Sequence, residues 1–379
     1  MYFYSRVATF VSWQSFNMID VVNNKNNQHD LDVQITTILK IRIFFGFYHN
    51  VFENSIILRL LLKVILIVFG AAILYTGTQS RSKEFSKLNH FIKALEYITY
   101  FVLTLTTENS YLLRYFRHDP IIDTKRSNQA YQQVVKFTLS FFLLTIVYYV
   151  ALYSVVTYAK YVSNSGYVLE YISLIFFRLS SELGRIPVLM VLLLFYYRTK
   201  LFSSFVQEAA LNTTSTFNLK RYIVMYSRNL DSLKETDGCV KPMIFVHLIS
   251  SFVNTLVLFY NVVITLYKSV SSLDTLFFLI GTSIQVIYNC LILFIPSVII
   301  ELITKDLEAL KNDLADKILT CGDRRRREQL RMLQLYLHDK PFTYTLWRSI
   351  QVNSRLPLKF LSLVATCLIC MLQISVKNK

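Results

Sequence analysis

Charged residues are scarce in this chain of 379 residues, where Asp, Glu, Lys and Arg together make up 17%. A soluble globular protein carries about 25%, because it needs a hydrated surface. Glycine and proline are also few, with 8 and 6 residues, which suits long uninterrupted helices. The apolar blocks lack the alternation of membrane-spanning strands. The sequence therefore predicts an all-α membrane protein.

Signals for disulfides and catalysis are missing as well. The chain has five cysteines, and none forms an obvious pair in an external loop. It contains no His/Cys cluster at metal-ligand spacing, no Gly-x-Ser-x-Gly and no glycine-rich phosphate loop. The first residues do not resemble a signal peptide and are expected to belong to the mature protein. We therefore predict no enzyme activity, no metal and no cofactor.

What the chain does contain is a series of apolar blocks long enough to cross a bilayer, which takes roughly 17 to 25 residues. They predict seven transmembrane helices, at about 57–77, 89–107, 136–158, 167–197, 242–267, 274–302 and 350–374. The second block is the weakest, because it contains Lys93 and Glu96. The predicted division of the chain is a cytosolic segment 1–56 that ends in an amphipathic helix, a six-helix bundle 57–302, cytosolic helices 303–349 and a seventh helix with a short external tail, 350–379.

Basic residues set the predicted orientation. Segments 1–56, 108–135, 198–241 and 303–340 hold 24 Lys and Arg residues, whereas the alternate connections hold 7. Because basic loops stay in the cytosol, the N-terminus is predicted inside and the C-terminus outside. This bias also accounts for the net charge of +16 without nucleic acid as a partner. The glycosylation sequon at Asn212 falls on the cytosolic side and is expected to be unused.

The long cytosolic segments before helices five and seven have helical patterns of their own. One apolar stripe recurs at helical spacing over Leu307, Leu310, Leu314 and Ile318. After a break at Gly322, Leu330, Leu333 and Leu337 repeat the pattern. These stripes either pack within their own subunit or join subunits, and the pattern alone favours neither.

The last span carries a partial match to a family motif. Insect gustatory receptors have Thr-Tyr, five residues and Gln-Phe there; this chain has Thr366-Cys367, five residues and Gln373-Ile374. The stretch KIRIFFGFYHNVF, residues 40–52, is similar to the segment that precedes the first span of these receptors. Length, inverted topology, minimal external loops and long helical cytosolic loops agree too. The chain thus resembles a divergent member of the insect chemoreceptor superfamily.

The resemblance implies a function and partners. It implies a subunit of a ligand-gated, non-selective cation channel, a homo- or heterotetramer in the plasma membrane of a sensory neuron. A small-molecule tastant would bind in the outer half of helices two to six, and the last helices would line one central pore for the permeating cations.

Candidate residues follow for the pore and the ligand pocket. The pore candidates share one face of the last helix and are Thr366, Ile369, Cys370 and Gln373. The pocket candidates are outer-half aromatic and polar residues, as small-molecule pockets require: Tyr97, Tyr149, Tyr153, Tyr171, Arg178, Tyr260, Asn261 and Gln285. Packing within the bundle is the alternative for both sets, and tyrosines near span ends also form interfacial belts.

Charged residues inside the spans form a third candidate set. Arg178, Glu182 and Arg185 share one helix face of the fourth span. Such residues are costly in a membrane unless they are paired, so they are functional candidates. Arg178 and Glu182 can pair within the helix, which leaves Arg185 to seek a partner such as Glu96 of span two. A structural network and a role in ligand binding or gating both remain open.

Other functions fit less well. A seven-helix signalling receptor without channel activity is the main alternative, but G-protein-coupled receptors have the opposite orientation, and their Asp-Arg-Tyr and Asn-Pro-x-x-Tyr motifs are missing here. A receptor-like protein with a non-chemosensory role is another. A transporter is disfavoured, because no pair of broken helices repeats in matching halves.

Overall fold

A computed structural model describes residues 35–49, 55–78, 84–117, 124–161, 168–211, 217–267, 273–346 and 350–377, and these are almost entirely helical. From residue 55 onward, the helices are α1 (Ile56–Thr78), α2 (Glu84–Thr107), α3 (Ser110–Arg117), α4 (Thr124–Tyr161), α5 (Val168–Gly184), α6 (Ile186–Leu211), α7 (Leu219–Tyr267), α8 (Leu273–Thr320), α9 (Arg324–Asp339) and α10 (Arg355–Lys377). Strands β1 (Thr345–Leu346) and β2 (Ile350–Gln351) form an antiparallel pair between α9 and α10.

Six stretches of the described helices are long and apolar enough to cross a membrane. They lie in α1, α4, the end of α5 with α6, α7, α8 and α10. The predicted second span corresponds to α2, which is not among them. Its buried Lys93 and Glu96 give α2 the lower hydropathy that already made this block the weakest in the sequence. The fold is helical as predicted, while the count of seven spans remains a prediction.

Helix α6 is the centre of the bundle. In the most apolar 18 residues of its membrane stretch, 94% are buried, and α4, α7 and α8 pack around it. Helices α1 and α10 lie at the periphery, with 17% and 11% of the corresponding 18 residues buried. An apolar helix with so little burial must face lipid, another subunit or a pore.

The predicted fourth span, 167–197, is divided into α5 and α6. Helix α5 ends at Gly184 and α6 begins at Ile186, with Pro187 in the first turn, where its missing N–H costs nothing. Gly184 is required for close packing, because a Cβ added there would lie 2.2 Å from the Tyr100 ring of α2. The break thus occurs at a point where α2 packs directly against the fourth span.

Two predicted boundaries differ from the structure. The seventh helix begins at Arg355 rather than 350, because the β-hairpin occupies the preceding residues and the side chain of Asn353 accepts a hydrogen bond from the Arg355 amide at 3.1 Å. The predicted cytosolic segments are continuous with spans: α6 and α7 extend into 198–241, and α8 extends to Thr320. Asn212 lies outside the described residues.

The apolar stripes of the cytosolic helices pack within the subunit. Leu307, Leu310 and Leu314 of α8 are buried, as are Leu330, Leu333 and Leu337 of α9, and α8 and α9 pack together. Arg326 of α9 donates a hydrogen bond to the carbonyl of Ala209 at 2.6 Å and so caps the end of α6. The first of the two alternatives for these stripes therefore describes the single chain.

Residues 35–49 form a pre-span segment that packs inside the bundle. Its first part is helical as predicted, and it ends in a turn where Gly46 has φ +88° and a Cβ would meet the Tyr97 hydroxyl at 2.3 Å. Arg42 donates to the carbonyl of Leu183 at 3.1 Å. The chain before residue 35 lies outside the described residues.

Candidate functional site

The four predicted pore residues lie on the exposed side of α10. Thr366, Ile369, Cys370 and Gln373 are each exposed in the single chain, Ile369 to 55%. Ser362, which sequence reasoning did not include, is also exposed and extends the polar face by one turn. The hydroxyl of Thr366 donates a hydrogen bond to the carbonyl of Ser362 at 3.0 Å, so its donor is used within the helix.

The exposed face of α1 is chemically different. Its exposed residues between Ile56 and Phe69 are all apolar, among them Ile57 and Val68. This is the composition of a lipid-facing surface. The exposed face of α10 instead mixes hydroxyl, thiol and amide groups with apolar ones. The two peripheral helices are therefore suited to different surroundings.

A compact network of charged residues lies between α2 and the α5–α6 break. The Arg185 guanidinium lies 2.7 Å from Glu96 Oε1 and also pairs with Glu182. Lys93 Nζ lies 3.0 Å from Glu96 Oε2 and 3.6 Å from Glu182 Oε1. All four side chains are at least 92% buried. Two carboxylates and two basic groups balance, which is how buried charges become tolerable.

Hydroxyl groups complete the coordination of the network. Tyr100 donates to Glu96 Oε1 at 2.9 Å, and Ser250 of α7 donates to Glu96 Oε2 at 2.5 Å. Tyr149 of α4 donates to Glu182 Oε1 at 3.2 Å. The network therefore joins α2, α4, the fourth span and α7. Ser181 also donates to Glu96 Oε2, at 3.2 Å, and a carboxylate that holds two cations and three hydroxyls is fixed in place.

Arg178 does not take the predicted position. It is buried, but Glu182 pairs with Arg185 and Lys93 instead, and Arg178 Nε lacks a hydrogen-bond partner among the described residues. Glu182 and Arg185 are three residues apart, a spacing that allows pairing on a helix as readily as the four residues between Arg178 and Glu182. Spacing alone therefore does not decide which arginine pairs with Glu182.

The predicted pocket residues are dispersed. Tyr97 is fully buried among Phe47, Phe101 and Phe177. Tyr149 donates its hydrogen bond to Glu182 of the charge network. Tyr260, Asn261 and Gln285 are half-buried. The side chains of Tyr153 and Tyr171 lie outside the described part. Their roles in ligand binding stay predictions.

A cavity of about 40 Å³ lies beside the network, with Tyr100, Arg185 and His247 in its lining. It is far smaller than the roughly 300–1,000 Å³ of small-molecule pockets. In this conformation it does not admit a drug-sized ligand.

The sequence model of one protein family matches nearly the whole chain. That family is described as 7tm Chemosensory receptor, and the match covers residues 44–378. The chain belongs to this chemosensory receptor family. The predicted membership of the insect chemoreceptor superfamily is thereby confirmed, whereas a gustatory role is not tested by the match.

Solved structures agree on the fold of this chemosensory receptor. Sixteen chains of solved structures match. One is the insect olfactory receptor OR5 from Machilis hrabei, with 12% identity and a TM-score of 0.54, and the match covers 92% of this chain and 100% of that one. At this identity the likeness concerns fold alone. The search of curated proteins finds no match.

Several residues of the receptor's network are not predicted as site residues from the sequence, among them Lys93, Tyr100, His247 and Ser250. In the sequence, Lys93 only marks the second span as weak. His247 Nδ1 lies 3.5 Å from Glu96 Oε1. Tyr288 stacks on Tyr148 with ring centroids 3.9 Å apart. The rule that intramembrane charges need partners indicates that such residues form a network. It does not identify which residues pair with each other.

Proposed function

We propose that this receptor is a subunit of a ligand-gated, non-selective cation channel with a gustatory role in the plasma membrane of sensory neurons. The observation that supports it is the exposed face of α10, where Thr366, Cys370 and Gln373 lie unburied on a helix with 11% of its membrane stretch buried. Four such helices, from identical or related subunits, would surround one pore.

The chemistry of this face favours a pore over lipid. A side-chain amide such as that of Gln373 loses its hydrogen bonds in hydrocarbon, which costs about 2–7 kcal/mol. A water-filled pore removes that cost and uses the same group to hold partly hydrated cations. Ile369, on the same face and 55% exposed, supplies the apolar ring that can close by dewetting.

The proposed ligand is a small molecule in the outer half of helices two to six, as the resemblance implies. The charge network supports a role for this region in gating, because it joins four helices of the bundle through Glu96 and Glu182. A ligand that shifts the fourth span against α2 would have to displace these fixed carboxylates.

The second candidate is a signalling receptor without channel activity, and topology separates the two. The channel proposal places the C-terminus outside, so a tag after Lys379 should be labelled on intact cells and Asn212 should carry no sugar. A hidden tag or a glycosylated Asn212 would support the other candidate. The basic cytosolic segments support the channel orientation.

The direct test is current through cells that express this chain alone or with related subunits. Replacing Gln373 by Ala should change the relative permeability of monovalent cations. Met371→Ala is the matched control, because Met371 lies two residues away on the same helix and is half-buried. If permeation is the same in the Gln373→Ala variant and in the wild type, α10 does not line the pore with this face.

A further inference from the structure

A groove of about 710 Å³ runs between α7 and α10. Its walls are apolar and aromatic side chains from both helices: Phe245, Leu248, Phe252, Leu356, Phe360 and Leu363. Within this lining, the rings of Phe252 and Phe360 meet edge to face with centroids 5.5 Å apart. Its size lies in the range of pockets that bind small molecules.

The groove is open along one side. Ile249 of α7 is 40% exposed and Leu363 of α10 is 53% exposed, and both line it. These residues belong to membrane stretches of their helices. In a bilayer the open side faces acyl chains or a neighbouring protein.

One end of the groove is polar. Thr345, Gln351 and Asn353 line this end together with Lys359, which is exposed. Lysine offers three donors and a positive charge, and the two amides add further donors. Glu301, near this end, accepts a hydrogen bond from the Ser354 amide at 3.4 Å. The groove therefore combines an apolar trough with a donor-rich, basic end.

We propose that this groove binds a membrane phospholipid with an anionic headgroup. One acyl chain lies in the trough between α7 and α10, and the headgroup phosphate contacts Lys359, with Gln351 and Asn353 as further donors. The basic end is at the start of α10 and near the start of the predicted fifth span, 242–267, and the proposed orientation assigns both to the cytosolic leaflet. Basic pockets between helices on that side suit anionic headgroups.

Charge distinguishes a lipid from a second copy of this chain. Helix α10 contains no Asp or Glu, and neither do residues 242–267 of α7. Self-association through these two helices would therefore leave Lys359 without a carboxylate partner from them. The phosphate of a phospholipid supplies the missing negative charge. The acyl chain of the same lipid covers the apolar walls without burying a polar group.

The experiment is photolabelling of the full chain in nanodiscs of phosphatidylcholine that contain a trace of diazirine-labelled phosphatidylserine. Peptide mapping should find the label on α7 and α10 at the groove, and unlabelled phosphatidylserine should compete better than phosphatidylcholine. Lys359→Glu should lower this labelling roughly fivefold, since one basic contact is worth about a factor of five at a membrane surface. Lys305→Glu, at an exposed lysine outside the groove, should leave it unchanged.

A steric pair of variants checks the trough. Leu248→Trp fills it and should abolish groove labelling, whereas Leu358→Trp, at a residue 67% exposed and outside the lining, should not. Undiminished labelling in Lys359→Glu, or crosslinks from the groove to a second copy of the chain, would overturn the proposal. The readout needs no current, so failure of the channel proposal and failure of this one are separate results.

Discussion

The pore assignment makes a sharp prediction about one native cysteine. Cys370 is exposed on the same face of α10 as Gln373, and all five cysteines are free thiols. A methanethiosulfonate reagent that carries a quaternary ammonium group should form a disulfide with Cys370 and place a fixed positive charge in the pore. We expect the cation current to fall steeply.

The size of the effect follows from helix geometry. Cys370 and Gln373 are three residues apart, or roughly 4.5 Å along the axis, so the attached charge lies close to the cation held at the amide ring. At separations of roughly 5–8 Å and an effective dielectric constant of 20, the repulsion is about 2–3 kcal/mol. That lowers cation occupancy roughly 30- to 150-fold, and the current should fall by at least tenfold.

The assay is whole-cell recording before and after the reagent. Cys370→Ser should abolish the block, and a neutral methyl reagent should block far less, because it adds volume without charge. Cys367→Ser is the matched control, since Cys367 is half-buried on the same helix, and this variant should still be blocked. A full current in channels whose Cys370 is shown by mass spectrometry to be modified would refute the pore assignment.

Two further predictions concern the buried network and the α5–α6 break. Glu96→Gln should destabilise the folded receptor by about 3–5 kcal/mol, because it leaves buried cations unpaired. Glu108→Gln should cost less than about 1 kcal/mol, since its ion pair is about 30% exposed. The thermal stability of the solubilised protein measures both variants, and equal losses of stability would contradict the argument. Gly184→Ala should lower the free energy of unfolding by about 1–3 kcal/mol, because the added methyl group overpacks against Tyr100. Gly238→Ala, with open space around it, should be neutral or stabilising by about 1 kcal/mol. A Gly184→Ala variant of unchanged stability would show that the helices separate freely there.

Hydropathy predicted most of the helical architecture, because it acts locally along the chain. The start of α10 could not be predicted in this way. A hairpin of two-residue strands has no periodicity to detect, and the Asn353 cap of the Arg355 amide requires a specific turn. The α5–α6 break was also missed, since the single Gly184 signals it only together with Tyr100 of another helix.

The charge network shows where sequence reasoning about the site ends. Intramembrane charges must meet partners, and this rule pointed to Glu96 for Arg185. Spacing leaves two partners open for Glu182 within the fourth span, because Arg178 lies four residues before it and Arg185 three residues after it, and the structure pairs it with Arg185. The tyrosines had no comparable constraint. Tyr97 packs among aromatic rings and Tyr149 donates to Glu182, and nothing in their sequence positions separates these roles from ligand contact.

Helix α7 connects the network to the proposed pore helix. Ser250 bonds Glu96 on one side, and two residues later Phe252 packs on Phe360 of α10. A movement of the fourth span that displaces Glu96 therefore acts on the helix that touches α10. The Glu96→Gln variant separates support of the fold from this coupling: receptors that still fold and reach the surface should open with altered ligand sensitivity if the coupling holds, and with unchanged sensitivity if the network only stabilises the bundle.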